Sequence, residues 1–279
     1  MAKINGETQI IGFFGSTYRT SKMYAMYNAA FEALGLNYLY VPFVVKDLGK
    51  AIEGVRHLGI RGIGVTIPYK IDVLPYLDEL DHDARRIGAV NTIIQRAGRL
   101  VGMNTDGRGA MKALQEASAV VGKKVVLLGA GGAARAIAFA IVDAGGDLVI
   151  INRTQDAAAE LARVVGCRYA PLDQLAPELK NASVLMNATS IGMAPNVGET
   201  LVRKELLSPE CVVMDLVSNP RETILLKEAQ EAGCCVVHGD RMLLWQGVLK
   251  FQLYTGIEPP VEVMERALYN LNRPQDKET

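Results

Sequence analysis

The stretch KVVLLGAGGAARAIAFAIVDAG, residues 124–145, joins an apolar run, a glycine cluster and an alanine-rich segment of helical composition. In its G-x-G-x-x-A pattern, Gly129 suits a tight turn, Gly131 suits close approach of the backbone to a phosphate, and Ala134 lets a helix pack on a strand. The amides and the positive dipole end of such a helix attract phosphates. The stretch therefore predicts a dinucleotide-binding turn formed by Gly129, Ala130, Gly131, Gly132 and Ala133.

The next apolar run, DLVIINRT (residues 147–154), bears on which dinucleotide binds. Many NAD-binding domains place a carboxylate here to accept hydrogen bonds from the ribose, whereas an arginine accommodates the extra phosphate of NADP. This run ends in Asn152, Arg153 and Thr154, with one guanidinium and no carboxylate. NADP is therefore favoured. Asp156 keeps NAD as an alternative, and Arg153 could also simply cap a surface edge.

Short β-branched runs alternate with longer segments of helical period along the chain. The runs that we predict as strands are TQIIGFFGS, NYLYVPFVV, GIGVTIP, KVVLLGA, DLVIINR, SVLMNAT, CVVMDLV and CCVVHGD. Such alternation implies crossover units and mostly parallel sheets. The sequence therefore predicts an α/β fold.

The length of 279 residues exceeds the commonest size of a single domain, so we expect two domains. We predict an α/β substrate domain at 1–106, a Rossmann-type doubly wound domain at 107–240, and C-terminal helices at 241–279 that pack back on the first domain. Composition alone suggests a seam near 118–126, where a polar helix gives way to a strand, and a frayed tail at 272–279. The cleft between the domains is the predicted site.

Composition excludes several classes of protein. Lys plus Arg number 30 and Asp plus Glu number 30, so no net field favours a nucleic-acid partner. The apolar runs are too short to span a membrane and the N-terminus lacks a signal-peptide pattern, so we expect a cytoplasmic protein without a membrane partner. The cysteines lack zinc-ligand spacing, which predicts no metal and buried, reduced thiols at Cys167, Cys211, Cys234 and Cys235.

Further motifs make the pattern specific. VTIPYK ends in Lys70, GAVNT contains Asn91 and NTDGRG contains Asp106; GAGGAARA, NRT, NATSIGM and GDRMLLWQGVLKFQLYTG follow in that order. Together these motifs resemble the shikimate dehydrogenase family over nearly the whole chain. The resemblance implies reversible NADPH-dependent reduction of 3-dehydroshikimate to shikimate, a step of aromatic amino acid biosynthesis in the chorismate pathway.

The resemblance also implies a role for each matching residue. Lys70 looks like the catalytic lysine of the family and Asp106 like its paired aspartate. The implied ligands of a hydroxy-cyclohexene carboxylate substrate are Ser21, Thr66, Asn91 and Gln246. Besides the glycine turn, the implied cofactor ligands are Asn152, Arg153, Thr154, Thr189 and Gly239.

Elementary chemistry supports the lysine and aspartate pair. Oxidation of a secondary alcohol sends a hydride to the nicotinamide and a proton to a base. A neighbouring carboxylate favours the charged lysine, so Lys70 should donate readily and need a proton relay to act as base, or else mainly bind and polarise the substrate. Taken singly, a snorkelling Lys70 and a helix-capping Asp106 are common alternatives.

Three motifs depart from the family pattern. In place of the carboxylate-binding H-S-x-S-P loop this chain reads T-S-K-M-Y, which keeps Ser21, a possible helix N-cap, and puts Met23 where the second serine falls. Ser218 replaces the tyrosine of a Y-N-P motif, and Ala157 stands where a second phosphate-clamping arginine is usual. Arg19 or Lys22 could supply a compensating charge.

The favoured interpretation is an NADP-dependent shikimate dehydrogenase-like oxidoreductase. The alternatives are a quinate/shikimate dehydrogenase that prefers NAD, and a non-catalytic sensor of a metabolite or of NADP. The changed substrate loop motivates the sensor, and the intact Lys70 and Asp106 argue against it. Monomer and homodimer both remain open.

Overall fold

The computed structural model describes residues 4–16, 22–66 and 68–270. The chain divides into two compact units, Met1–Thr105 with Gln246–Thr279, and Asp106–Trp245. The predictions for Arg19, for Ser21 and for the tail at 272–279 lie outside the described residues.

The elements are numbered in chain order. The strands are β1 (Gln9–Gly15), β2 (Tyr38–Val44), β3 (Gly62–Val65), β4 (Glu79–Leu80), β5 (Thr92–Arg96), β6 (Arg99–Met103), β7 (Lys124–Leu128), β8 (Asp147–Ile151), β9 (Arg168–Ala170), β10 (Val184–Asn187), β11 (Val212–Asp215) and β12 (Cys235–Val237). The helices are α1 (Met23–Ala33), α2 (Leu48–His57), α3 (Tyr69–Asp72), α4 (His82–Ile87), α5 (Asp106–Gln115), α6 (Gly132–Asp143), α7 (Gln155–Val165), α8 (Leu175–Leu179), α9 (Ile224–Glu231), α10 (Gly239–Thr255) and α11 (Val261–Asn270).

The sheet of the first unit is mixed, with strand order β2-β1-β3-β5-β6-β4. Strands β2, β1 and β3 run parallel, whereas β5 is antiparallel to both β3 and β6. Strand β4 is parallel to β6, so the expectation of mostly parallel sheets holds for three of the five pairings in this sheet and fails for the two that involve β5. A tight hairpin connects β5 to β6, and Ala97 and Gly98 in its turn both have positive φ.

The sheet of the second unit is fully parallel, with strand order β12-β11-β10-β7-β8-β9. This order is that of the doubly wound Rossmann sheet, and the reversal between β7 and β10 marks where ligands bind in such sheets. The predicted Rossmann-type domain is confirmed.

The C-terminal helices return to the first unit, as predicted. Helix α11 packs against α1, and the hydroxyl of Tyr27 in α1 donates to the backbone oxygen of Gly247 in α10 at 3.0 Å. The rings of Tyr27 and Phe251 stack with centroids 6.3 Å apart. Buried aromatic contacts of this kind stabilise a helix against its neighbour.

The seam expected near residues 118–126 is wrong, because helix α5 belongs to the second unit. This helix packs so closely on α6 that a Cβ at Gly107 would overlap the backbone oxygen of Ala136. The glycine permits that approach, and the contact joins α5 to the Rossmann sheet.

The cysteines largely follow expectation. All four are free thiols, Cys211 and Cys234 are buried and Cys167 is half-buried, but Cys235 is exposed because it opens the short edge strand β12. Burial raises the pKa of the Cys211 thiol to about 12 and that of Cys167 to about 11. Neither thiol forms the reactive thiolate at neutral pH.

Residues 4–16, 22–66 and 68–270 contain neither a membrane-spanning helix nor a candidate metal cluster. No helix among them is long and apolar enough to cross a membrane. No group of three or more His, Cys, Asp or Glu side chains in that part of the chain could hold a metal ion.

An ion pair joins α5 to the start of α10 and yields a stability prediction. The Arg241 Nε donates to Glu116 at 2.7 Å and the Trp245 indole donates to the same carboxylate at 2.7 Å. Burial raises the pKa of Glu116, but these hydrogen bonds outweigh it and hold the pKa below its ordinary value. The folded state therefore gains stability above that ordinary value and loses it as the pH falls through the lowered pKa.

We expect Glu116→Gln to lower the free energy of unfolding by about 1 kcal/mol at pH 7. The loss should shrink in acid, where wild-type Glu116 is itself protonated. The matched control is Glu160→Gln, which removes an exposed pair with Arg163 and should leave stability unchanged. Urea unfolding at pH 7 and in acid checks this, and a Glu116→Gln loss independent of pH would contradict it.

Candidate active site

The proposed substrate residues Thr66 and Lys70 lie just after β3. The Thr66 amide donates to Phe14 O at 3.3 Å, and the Tyr69 amide donates to Thr66 O at 2.9 Å, so the chain turns at once. Lys70 is half-buried within the short helix α3 rather than on the strand itself. Its backbone oxygen accepts from Val90 N at 2.8 Å, which brings α3 next to Asn91.

Asn91 is fully buried and connects the residues around it. Its Oδ1 accepts from the Thr105 amide at 3.0 Å and from the Thr92 hydroxyl at 2.8 Å. Its Nδ2 donates to Thr105 Oγ1 at 3.1 Å and lies 3.5 Å from Gln246 Oε1. The structure thus brings two of the predicted substrate ligands, Asn91 and Gln246, into contact.

Asp106 follows Thr105 directly and is the first residue of α5. Its side chain is only 3% exposed, so this carboxylate is not a solvated surface cap. Thr105 forms hydrogen bonds with Asn91, and Asp106 is the next residue in the chain. Asp106 therefore follows the cluster around Asn91 by one residue. Thr105 was not predicted from the sequence, although it stands beside Asp106 in the quoted motif NTDGRG.

The departure at Met23 has a packing explanation. Helix α1 begins at Met23, with Lys22 at the N-cap position and no side-chain cap bond. Met23 is buried, and a Cβ added at Gly247 would lie 3.2 Å from its Cε. Met23 therefore fills space against α10 next to Gln246, where a serine hydroxyl would have left a gap.

The glycine turn has the geometry of a dinucleotide site. Gly129 has φ of +112°, and its amide donates to Ile151 O at 2.8 Å. Gly131 is the N-cap of α6 and gives no side-chain cap bond. A Cβ at Gly131 or Gly132 would meet no protein atom within 4 Å, so packing does not explain these glycines, and open space lies before the helix amides.

The residues after β8 lie near the same edge of the sheet. Asn152 Nδ2 donates to Thr154 O at 2.9 Å, and Thr154 is the N-cap of α7. Arg153 is exposed, and so are Asp156 and Ala157 in the first turn of α7. This region thus offers one guanidinium on an open surface, as predicted for a phosphate.

Thr189 and Gly239 occupy different positions in the second unit. Thr189 follows β10, and its Cγ2 would lie 3.2 Å from a Cβ built on Gly129. Gly239 opens α10, and a Cβ there would lie 2.6 Å from the backbone oxygen of Leu216. Gly239 is thus required by close packing against the loop after β11, which leads to the half-buried Ser218.

The sequence did not predict a buried hydrogen-bond network that lies next to Thr189. Asp215 at the end of β11 is fully buried, and it accepts from Asn187 Nδ2 at 2.9 Å and from the Thr223 hydroxyl at 2.6 Å. Burial raises the pKa of the Asp215 carboxyl, and these hydrogen bonds oppose that shift. A sequence feature that could have indicated this network is Asn187, the first residue of NATSIGM, which stands two residues before the predicted cofactor ligand Thr189.

We expect Gly129→Ala to weaken NADP⁺ binding at least tenfold. A Cβ there lies 3.1 Å from Ala188 O and at a φ that alanine rarely adopts, a strain of about 1–3 kcal/mol that the turn must relieve by moving. Gly122→Ala is the matched control, because Gly122 also has a positive φ and room for a Cβ but lies before β7, at the opposite end of that strand. Titration calorimetry checks this, and equal affinities of wild type and Gly129→Ala would contradict it.

Comparisons with known proteins agree on one family. Three family models match: the shikimate dehydrogenase substrate-binding domain at 13–93, shikimate/quinate 5-dehydrogenase at 111–230, and the shikimate 5'-dehydrogenase C-terminal domain at 241–269. The chain belongs to the shikimate dehydrogenase family. The resemblance noted from the motifs is thereby confirmed.

Individual shikimate dehydrogenases match nearly the full chain. A curated Shikimate dehydrogenase (NADP(+)) of Pyrococcus furiosus is 46% identical over 94% of this chain and 96% of its own. A shikimate dehydrogenase solved with NADP⁺ is 43% identical, with a TM-score of 0.92 over 97% of this chain and 98% of its own. The Listeria monocytogenes shikimate 5-dehydrogenase, solved with shikimate and NAD, is 37% identical, with a TM-score of 0.89 over 96% of this chain and 99% of its own.

Proposed function

We propose that this protein catalyses the reversible NADP-dependent interconversion of shikimate and 3-dehydroshikimate. The observation that carries the proposal is 46% identity over nearly the whole chain to a curated enzyme of that name. The retained Lys70, Asn91, Asp106 and Gln246 support it, because they supply the polar groups that a hydroxylated ring requires.

Asn91 and Gln246 hold the substrate hydroxyls in this proposal, with Thr66 at the turn after β3. An amide can both donate and accept, so it suits a hydroxyl that does the same. Because Asn91 is fixed by Thr92 and Thr105, its amide is oriented before substrate binds. Such preorganisation reduces the entropy lost on binding.

Lys70 holds the proton at the reacting oxygen. In the reduction its ammonium group donates to the oxygen as negative charge develops there, and in the oxidation the amine accepts the hydroxyl proton. Asp106, which is buried at the start of α5, is the second residue of this proton-transfer pair in the proposal. The two residues therefore perform the proton half of the reaction.

The cofactor residues lie at the carboxyl ends of β7, β8 and β10. NADP⁺ supplies the acceptor of the hydride when it is bound. The open amides at Gly131 and Gly132 suit its pyrophosphate, and Arg153 with Thr154 suits its 2'-phosphate. Thr189 and Gly239 complete the proposed cofactor ligands.

An NAD-preferring quinate or shikimate dehydrogenase is the second candidate. Its specific support is the exposed Asp156, which could accept from a ribose hydroxyl, together with the NAD bound to the Listeria monocytogenes relative. Ala157 stands where a second phosphate-clamping arginine is usual. The clamp on the 2'-phosphate is therefore weaker, which also favours NAD over NADP.

The test is a four-way assay of shikimate and quinate, each with NADP⁺ and NAD⁺. The proposal predicts the highest kcat/KM for shikimate with NADP⁺. A higher value for NAD⁺, or for quinate, would establish the second candidate instead. Tight shikimate binding without turnover under either cofactor would indicate a sensor.

A further inference from the structure

The buried network at the ends of β10 and β11 lies where the strand order of the Rossmann sheet reverses. The Asp215 carboxylate there accepts from Asn187 Nδ2 at 2.9 Å, from Val217 N at 3.0 Å and from Thr223 Oγ1 at 2.6 Å. All three partners are donors, which is the environment of an ionised carboxylate. None of these residues belongs to the proposed proton-transfer pair or to the proposed cofactor ligands.

The charge on Asp215 sets the direction of the hydrogen bonds that follow. Because a carboxylate only accepts, Asn187 must turn its NH₂ group toward Asp215, and its Oδ1 is left for the next residue. That Oδ1 accepts from Thr189 N at 3.1 Å and from Thr189 Oγ1 at 2.7 Å. The Thr189 hydroxyl in turn accepts from Ile191 N at 3.1 Å, so its rotamer and its proton are both fixed.

The oriented Thr189 lies against the glycine turn. A Cβ built on Gly129 would be 3.2 Å from Thr189 Cγ2 and 3.1 Å from Ala188 O. The loop after β10 thus packs closely against the turn that precedes α6. A small displacement of this loop must move the boundary of the space in front of Gly131.

We propose that Asp215 is a positioning residue for the cofactor, which acts through Asn187 to hold Thr189 and the loop after β10 against the glycine turn. This inference deepens the proposed function and rests on it for the identity of the cofactor. A buried carboxylate that served the fold alone would affect stability without any preference for one ligand. Cofactor affinity therefore separates the two roles.

Asp215→Asn is the principal variant. It preserves shape, and its amide oxygen can still accept from Asn187 and Val217, but its NH₂ group replaces Oδ2 beside the Thr223 hydroxyl. The negative charge is lost, so the hydrogen bond that orients Asn187 is no longer charge-assisted and is weaker. We expect the Kd for NADP⁺ to rise at least tenfold and the KM for shikimate, at saturating NADP⁺, to stay within threefold. Calorimetry gives the Kd, steady-state kinetics gives the KM, and circular dichroism confirms folding.

Two further tests do not depend on Asp215→Asn folding. Thr189→Val removes the hydroxyl at the far end of the network and should weaken NADP⁺ binding. Where Asp215→Asn folds, the double variant of Asp215→Asn with Thr189→Val should bind NADP⁺ no more weakly than the weaker single variant. Thr223→Val removes one donor to Asp215 and should also weaken NADP⁺ binding. Thr255→Val is its matched control, because this buried hydroxyl bonds Phe251 O and Ile257 N, outside the network.

The inference is overturned if folded Asp215→Asn binds NADP⁺ within twofold of wild type. It is equally overturned if the affinities for cofactor and substrate fall together. The same holds if Thr223→Val and Thr255→Val bind NADP⁺ with the same affinity. The proposed function fails separately, if wild type binds NADP⁺ but does not oxidise shikimate, and the calorimetric comparison then still decides the role of Asp215.

Discussion

Lys70→Ala is expected to lower kcat for shikimate oxidation by about 10³-fold, within the range of 10² to 10⁴ that general acid–base catalysis contributes. The methyl side chain can neither accept the hydroxyl proton nor donate to a developing alkoxide. The KM for NADP⁺ should change little, because the proposed cofactor ligands lie in the second unit. Stopped-flow absorbance of the reduced nicotinamide measures the chemical step directly.

Two further variants separate the charge of Lys70 from its proton transfer. Lys70→Arg keeps a cation that does not deprotonate, so it should bind shikimate but remain as slow as Lys70→Ala. Lys50→Ala removes an exposed lysine of α2, with 82% of its side chain accessible, and should leave kcat unchanged. Near-wild-type turnover by Lys70→Arg would reduce Lys70 to a binding and polarising role.

Arg153→Ala is expected to raise the KM for NADP⁺ by about tenfold to a hundredfold, since hydrogen bonds to charged groups contribute about 1.5–3 kcal/mol. The KM for NAD⁺ should stay within twofold, because NAD⁺ lacks the 2'-phosphate. Ala157→Arg is the complementary gain, since it restores the second guanidinium in the exposed first turn of α7. We expect it to lower the KM for NADP⁺ several-fold.

The control for Arg153 lies on α7, the helix that begins two residues after it. Arg163→Ala removes an exposed guanidinium that pairs with Glu160, and it should leave both cofactor constants unchanged. If Arg153→Ala raised the constants for NADP⁺ and NAD⁺ equally, Arg153 would contact a part that the two cofactors share. The selectivity for NADP⁺ over NAD⁺ would then have another origin.

The Rossmann sheet was predictable because its signals are local. Each strand is a short β-branched run, and the turn after β7 needs glycine at a positive φ. Helix α7 likewise ends at Gly166, a left-handed residue visible in the sequence. Local backbone conformations of this kind follow directly from the residue types.

The first sheet was harder because its hairpin carries weak signals. The turn at Ala97 and Gly98 lacks the Asn-Gly or Asp-Gly pair that marks most two-residue turns, and β4 has only two residues. The substrate cluster was partly predictable, since its members sit in recognisable motifs. The contact of Asn91 with Thr105 and Gln246 joins segments far apart in sequence, and no local pattern encodes such a contact.

The same limit explains the missed network around Asp215. Its members Asn187, Asp215 and Thr223 lie on neighbouring parallel strands and the following loop, and the strand order alone brings them together. In the sequence, a buried aspartate at the end of a strand cannot be told from an ordinary exposed polar residue that ends an apolar run. Only the register of β10 with β11, which pairs Asn187 with Asp215, gives it a partner.

The most direct test of the central claim follows the hydride itself. Shikimate deuterated at carbon 3 is incubated with NADP⁺ and the wild-type protein, and mass spectrometry follows both products. Direct hydride transfer from carbon 3 to the cofactor predicts one deuterium in each NADPH and one 3-dehydroshikimate for each NADPH formed. Unlabelled NADPH, or none at all from folded protein that binds both ligands, would contradict it.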